Sequence, residues 1–164
     1  MLTRTSYEQL IYSLPTRYSA IQISTLVIVP PGLDTAQLTG LLAFGNDIVL
    51  CVHELLDFQQ GLIESYRYEV TRSLVPFSIS PLPDTAEYCS ITYMHKEKLY
   101  WYDSWPHPNN PELAATHPHH KHIYPNIKHN RIPAPDLRFD APNLPFLIKE
   151  IEADLLMRSH DSML

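Results

Sequence analysis

The stretch Leu38-Thr39-Gly40-Leu41-Leu42-Ala43-Phe44-Gly45-Asn46-Asp47-Ile48-Val49-Leu50-Cys51-Val52-His53-Glu54-Leu55-Leu56 decides the fold. Two apolar, β-rich runs flank Gly45-Asn46-Asp47, a three-residue loop that suits a hairpin with Gly or Asn at positive φ. The next segment, 64–72, alternates Tyr66, Tyr68 and Val70 against Ser65, Arg67 and Glu69, and this period of two predicts a half-buried strand. Upstream, Ile21 to Val29 is rich in β-branched residues and ends at Pro30-Pro31-Gly32, which predicts a strand closed by a turn. Downstream, Tyr88 to Tyr93 and Lys98 to Asp103 predict a second hairpin around His95-Lys96-Glu97, with Leu99, Trp101 and Asp103 sharing one face. Between these pairs, residues 73–86 carry Pro76, Pro81 and Pro83 and read as an inserted loop.

Helices are expected only at the ends. Ser6 to Leu14 has apolar residues at helical spacing and is expected to stop at Pro15. Near the other end, Asn143-Leu144-Pro145 supplies a capping residue and an early proline. Phe146, Ile148, Ile151, Leu155 and Leu156 then mark an apolar side. The expected fold class is α+β: one domain over residues 1–164, an antiparallel meander with an N-terminal and a C-terminal helix packed on one face.

With 164 residues, 45% hydrophobic, the chain is long enough for one domain with a sizeable core. A net charge of −6 excludes a general basic field for nucleic acid, so any grip on phosphate must be local. Protonating all nine histidines would turn that charge into +3, which ties the sign of the protein to pH. Cys51 and Cys89 both fall in stretches that read as strands and are expected to be reduced core residues. No signal peptide or membrane-length apolar run appears, and the expected compartment is the cytoplasm, with no membrane partner.

Six of the nine histidines lie between His107 and His129, and four sit in the run His117-Pro118-His119-His120-Lys121-His122. Prolines at 106, 108, 111, 118, 125, 133 and 135 remove backbone donors, so residues 104–135 are expected to form a stiffened loop that displays the cluster. Three readings stand. In the first, His119, His120 or His122 act as general acid and base with Lys121 as phosphate clamp, the apparatus of a ribonuclease that needs no metal or other cofactor. In the second, alternate histidines chelate a divalent metal, although no Cys and no HExxH spacing supports zinc, so no metal ligand is assigned. In the third, the histidines are a solvated polar loop.

Asp103 and Glu54, near strand ends, are candidates to orient an imidazole, and His107 is a candidate for the leaving group or a supporting role. Arg67, Lys128 and Arg131, with Lys121 and His129, would make a small basic patch for substrate. Trp105, in the proline-rich loop, is the best placed aromatic for stacking on a base. The pairs Tyr66 and Tyr68, and Tyr100 and Tyr102, alternate in a way that fits core.

Asp103-Ser104-Trp105-Pro106-His107, then Pro111-Glu112-Leu113, then Pro118-His119-His120-Lys121-His122 resemble the D-x-x-P-H, P-E-L and P-H-H-K-H pattern of the TumE family, small prokaryotic toxins of type II toxin–antitoxin systems. The likeness spans about Leu38 to Leu156. It implies a growth-inhibiting toxin that acts on RNA and is neutralised by an antitoxin protein; a homodimer is a further expectation. The chain departs from the pattern at Trp101, where relatives carry Arg, and in the insertion at 73–86.

Overall fold

The computed structural model describes residues 1–29, 32 and 34–156. An N-terminal helix α1 (Arg4–Arg17) leads into β1 (Ile21–Ser24), β2 (Val27–Val29), β3 (Thr35–Phe44), β4 (Ile48–Asp57) and β5 (Leu62–Ser73). A short helix α2 (Thr85–Cys89) precedes β6 (Lys96–Asp103), β7 (His120–His122) and β8 (Arg131–Pro133). The closing helix α3 (Leu144–Ile151) ends in a π turn at Glu152–Leu156. All pairings are antiparallel. β3 to β8 follow one another as a meander, while β1 and β2 both pair with the outer side of β3.

The expected hairpin between β3 and β4 is present, and its two positive-φ residues are Asn46 and Asp47, at 57° and 58°. Short polar side chains tolerate that backbone better than others. Asp47 also uses its Oδ1 to accept the Phe77 amide at 2.8 Å, which ties the turn to the insertion. β5 pairs centrally with β4 and β6, as its alternation predicts.

α1 and α3 pack on one face of the sheet, as expected. Tyr7, Ile11 and Leu14, one helical stripe, and Leu144, Leu147, Ile148 and Ile151 meet Leu38, Leu50, Tyr68 and Val70 in one core. Each fully buried Leu or Ile there contributes about 2 kcal/mol. All four tyrosines of the two predicted pairs are buried.

Several expectations need correction. α1 starts earlier, at Arg4 under a Thr3–Ser6 capping box, and runs through Pro15. The missing proline N–H is tolerated because the Tyr18 amide still closes the last turn onto the Leu14 carbonyl at 2.9 Å. The single strand expected from Ile21 to Val29 is two short ones. Of the turn expected after it, Pro30 and Pro31 lie outside the described residues.

The expected strand from Tyr88 to Tyr93 is α2 and a turn. Asp84 caps α2 by accepting the Ala86 amide at 2.9 Å. The Tyr88 hydroxyl meets Thr71 at 3.0 Å on the sheet side away from α1. Cys51 and Cys89 are not reduced: they form a disulfide with Cα atoms 5.8 Å apart, stapling α2 onto β4. Closing a loop of 38 residues in this way is worth about 4 kcal/mol by the chain-entropy argument. Finally, residues 104–135 are not all loop. They include a 3₁₀ turn at Pro111–Thr116 and the edge strands β7 and β8. Pro133 fits this because an edge strand need not donate every amide.

Candidate functional site

Alternation on β6 and β7 sorts the sequence candidates onto the two sides of the sheet. Tyr100 and Tyr102 enter the helix-side core, so Trp101 and Asp103 face the far side. His120 and His122 join them there, because β7 sets His120 opposite Asp103 and His122 opposite Trp101. Lys121, between them, points to the helices.

Asp103 collects the two imidazoles. His120 Nε2 stands 3.0 Å from Asp103 Oδ1, His122 Nε2 stands 3.3 Å from Oδ2, and the two Nε2 atoms are 3.0 Å apart. Each ring is held from behind: His120 Nδ1 donates to the Pro118 carbonyl and His122 Nδ1 to the Ile127 carbonyl, both at 2.9 Å. A carbonyl oxygen only accepts, so each Nδ1 carries a hydrogen and each neutral ring turns a bare Nε2 toward Asp103. Asp103 also accepts the Trp105 amide and the Trp101 indole N–H, each at 3.0 Å. Burial opposes its charge, but the bonds that His120 and His122 donate once their Nε2 atoms are protonated, with the bond from the Trp105 amide, outweigh burial and hold the carboxyl far below its ordinary range.

Aromatic rings wall the cluster. Trp101 stacks on His122 with centroids 4.1 Å apart, and His107 meets His120 edge-on at 4.8 Å. Burial, then the positive charge of Arg131 and that of His120 when its ring is protonated, lower the His107 pKa. Arg131 lies opposite His122 across β7 and β8. Its Nε is buried without a hydrogen-bond partner among the described residues.

Beside Asp103 opens a cleft of about 700 Å³, with His53, Arg67 and Asp103 on its floor and Trp105, Pro106 and Pro118 among its walls. The floor follows a cross-strand row: His53, Arg67 and Asp103 are successive register partners on β4, β5 and β6, and the row continues to buried His120 on β7. A smaller depression of about 350 Å³ shares His53 and Arg67 and reaches the disulfide. Arg67 donates to Glu69 Oε2 at 2.7 Å, and Glu69 is also bridged by Lys96 and Lys98.

Other predicted residues lie elsewhere. Lys121 Nζ donates to Glu150 Oε1 at 2.6 Å and sits 3.9 Å over the Tyr100 ring, on the helix side. His119 shares a 2.7 Å hydrogen bond with the Tyr66 hydroxyl and packs on Phe139. Glu54 is fully buried between α1 and the sheet, accepting the hydroxyls of Tyr7 and Tyr68, and hydrogen-bonds to no histidine among the described residues. Lys128 and His129 are exposed on the turn between β7 and β8. His53 was not a sequence candidate. Its signal was faint: a lone imidazole at an exposed position of an otherwise apolar strand, in register with Arg67.

The sequence matches the family described as Toxin TumE over residues 17–155, a span that contains all eight strands and the Asp103, His120 and His122 cluster. The chain belongs to the toxin TumE family. Neither the comparison with curated proteins nor that with solved structures returned a match. Membership of a toxin family implies an antitoxin as partner. Among the described residues of this TumE-family chain, no helix is long and apolar enough to cross a membrane. Trp101, where the family resemblance led us to expect Arg, keeps a donor on Asp103 through its indole N–H.

Proposed function

We propose that the chain is the toxin of a toxin–antitoxin pair and arrests growth by cleaving RNA in the far-side cleft, in the cytoplasm. The glutathione and thioredoxin thiols of that compartment would reduce the Cys51–Cys89 bridge to two thiols. The observation that carries the reading is the row His53, Arg67 and Asp103 on the floor of a cleft walled by Trp105, with buried His120 next in register beyond Asp103.

Each member has a role that its exposure allows. Arg67, with its side chain 47% exposed, keeps guanidinium N–H groups beyond the one given to Glu69, and these hold the phosphate. Trp105, 72% exposed, stacks on an unpaired base. His53 is the imidazole that a ribose 2′-OH can reach: it takes that proton as the 2′-oxygen attacks phosphorus, the P–O5′ bond breaks to leave a 2′,3′-cyclic phosphate, and solvent water protonates the departing 5′-oxygen. The His120 and His122 side chains are only 1% and 4% exposed, so the acid and base roles expected of them pass outward. They act through Asp103. Lys121 is replaced as phosphate clamp by Arg67 and Arg131, and the antitoxin neutralises the toxin by covering this cleft.

The test is induction of the chain in a bacterial culture, with mapping of cellular RNA ends, beside Arg67→Ala and His53→Ala variants shown to fold. Wild type is expected to stop growth and produce new RNA ends, with cleavage down about 100-fold or more in His53→Ala. Growth arrest with intact RNA would move the target elsewhere.

A further inference from the structure

We propose that His120 Nε2, His122 Nε2 and the Asp103 carboxylate form a binding site for one divalent transition-metal ion of the zinc class. Ligands at about 2.0–2.1 Å from a tetrahedral ion stand roughly 3.3 Å from one another. Here the two Nε2 atoms are 3.0 Å apart, His120 Nε2 is 3.0 Å from Asp103 Oδ1 and His122 Nε2 is 3.3 Å from Asp103 Oδ2, and one ligand atom from each residue lies within 4.8 Å of the other two.

Protonation points the same way. Because both Nδ1 atoms donate to backbone carbonyls, the neutral rings aim two lone pairs at each other and at a carboxylate. That arrangement is repulsive without a cation. One divalent ion satisfies all three at once, whereas without it the rings must take up extra protons to donate to each other or to Asp103. Carbonyl oxygens behind ligating imidazoles, and N–H donors on the ligating carboxylate such as those of Trp101 and Trp105, are the outer partners that fix metal ligands in orientation.

Two imidazoles and one carboxylate suit zinc and its first-row neighbours rather than calcium or magnesium, which prefer all-oxygen shells. Three protein ligands leave a fourth position open, the pattern of a catalytic rather than a structural ion. The Arg131 Nε, buried and unpartnered among the described residues beside His122, adds a donor for an anion bound at that position. Use of the ion to polarise an RNA phosphate rests on the function proposed above; the site itself does not.

The experiment uses the full chain, stripped with EDTA and desalted. Zn²⁺ binding is measured by calorimetry, and Co²⁺ binding by visible absorption. Wild type is expected to take one equivalent of Zn²⁺ and to give Co²⁺ bands of a four-coordinate site that Zn²⁺ abolishes. His122→Ala and Asp103→Asn are expected to bind at least about 10–100-fold more weakly, while His117→Ala and His129→Ala bind as wild type. A folded wild-type chain that takes up neither ion overturns the proposal, and so do His122→Ala and Asp103→Asn proteins that bind as tightly as wild type. The Co²⁺ spectrum of the unaltered chain decides even if those variants fail to fold. Metal binding without RNA cleavage would leave the site standing and sink the RNA reading. Cleavage that survives EDTA, by a chain that binds neither ion, does the reverse.

Discussion

Two carboxylates are sunk into opposite sides of the same sheet, and they behave in opposite ways. Glu54, on the helix side, accepts only hydroxyls, from Tyr7 and Tyr68, and Tyr68 is held in turn by Asn143 at 3.1 Å. Burial dominates there and pushes the Glu54 carboxyl up to about 7, with the tyrosine bonds pulling weakly the other way. Asp103, on the far side, is opposed by burial too, yet protonated imidazoles and N–H donors hold it far down. Burial opposes the charge of both, so desolvation alone does not separate a structural carboxylate from one poised for chemistry. The donors decide: neutral hydroxyls in a closed core tie α1 to β4 and β5, whereas imidazoles beside a cleft hold charge where a ligand can use it.

Removing the helix-side carboxylate outright is the strongest way to break this contrast. Glu54→Ala leaves a cavity and two unpaired hydroxyls, and is expected to lower the free energy of unfolding in urea by about 3–5 kcal/mol. RNA cleavage per folded molecule should not change. A folded Glu54→Ala protein with no activity would place Glu54 in the machinery after all.

A gentler test uses pH. The folded Glu54 pKa, about 7, lies above the ordinary value of 4.5, so the protonated group is the one that folding favours. Its contribution is complete below about pH 4.5 and is lost as pH rises to about 7, a change of about 3 kcal/mol. Urea unfolding of wild type and Glu54→Gln at several pH values from 5 to 8 should show curves that diverge over this window, with the variant gaining relative stability at the alkaline end. Parallel curves would mean that Glu54 titrates normally.

The smallest effect is expected from Lys121→Met. Its partly buried bond to Glu150 is worth about 1 kcal/mol, and thermal unfolding should register that loss, while growth arrest persists because the side chain faces the helices. Loss of arrest with stability intact would restore Lys121 to the site.

How far the sequence could be read depended on the range of the forces involved. Local rules were enough for the β3–β4 hairpin, for the alternation of β5, for the apolar stripe of α3 and for the burial of Tyr66, Tyr68, Tyr100 and Tyr102, because side-chain period and turn chemistry are properties of neighbours along the chain. The same rules misread Tyr88 to Tyr93, where α2 forms around an Asp84 cap and is pinned by Cys51, a residue 38 positions away. Asn143 looked like a plain helix cap, but its side chain bonds Tyr68 and the Arg138 backbone instead.

The histidine run shows both limits. Its composition marked a site, and prolines pointed to a loop, yet pairing with β6 makes residues 120–122 a strand and parts His120 and His122 from Lys121 by the pleat. Which residues are rich in imidazole and carboxylate was determined by the sequence itself. Which of them meet, at 3.0 Å around Asp103 and in line with Arg67 and His53, was decided only by the register of four strands, since hydrogen-bonded pairing brings together residues that no spacing along the chain relates.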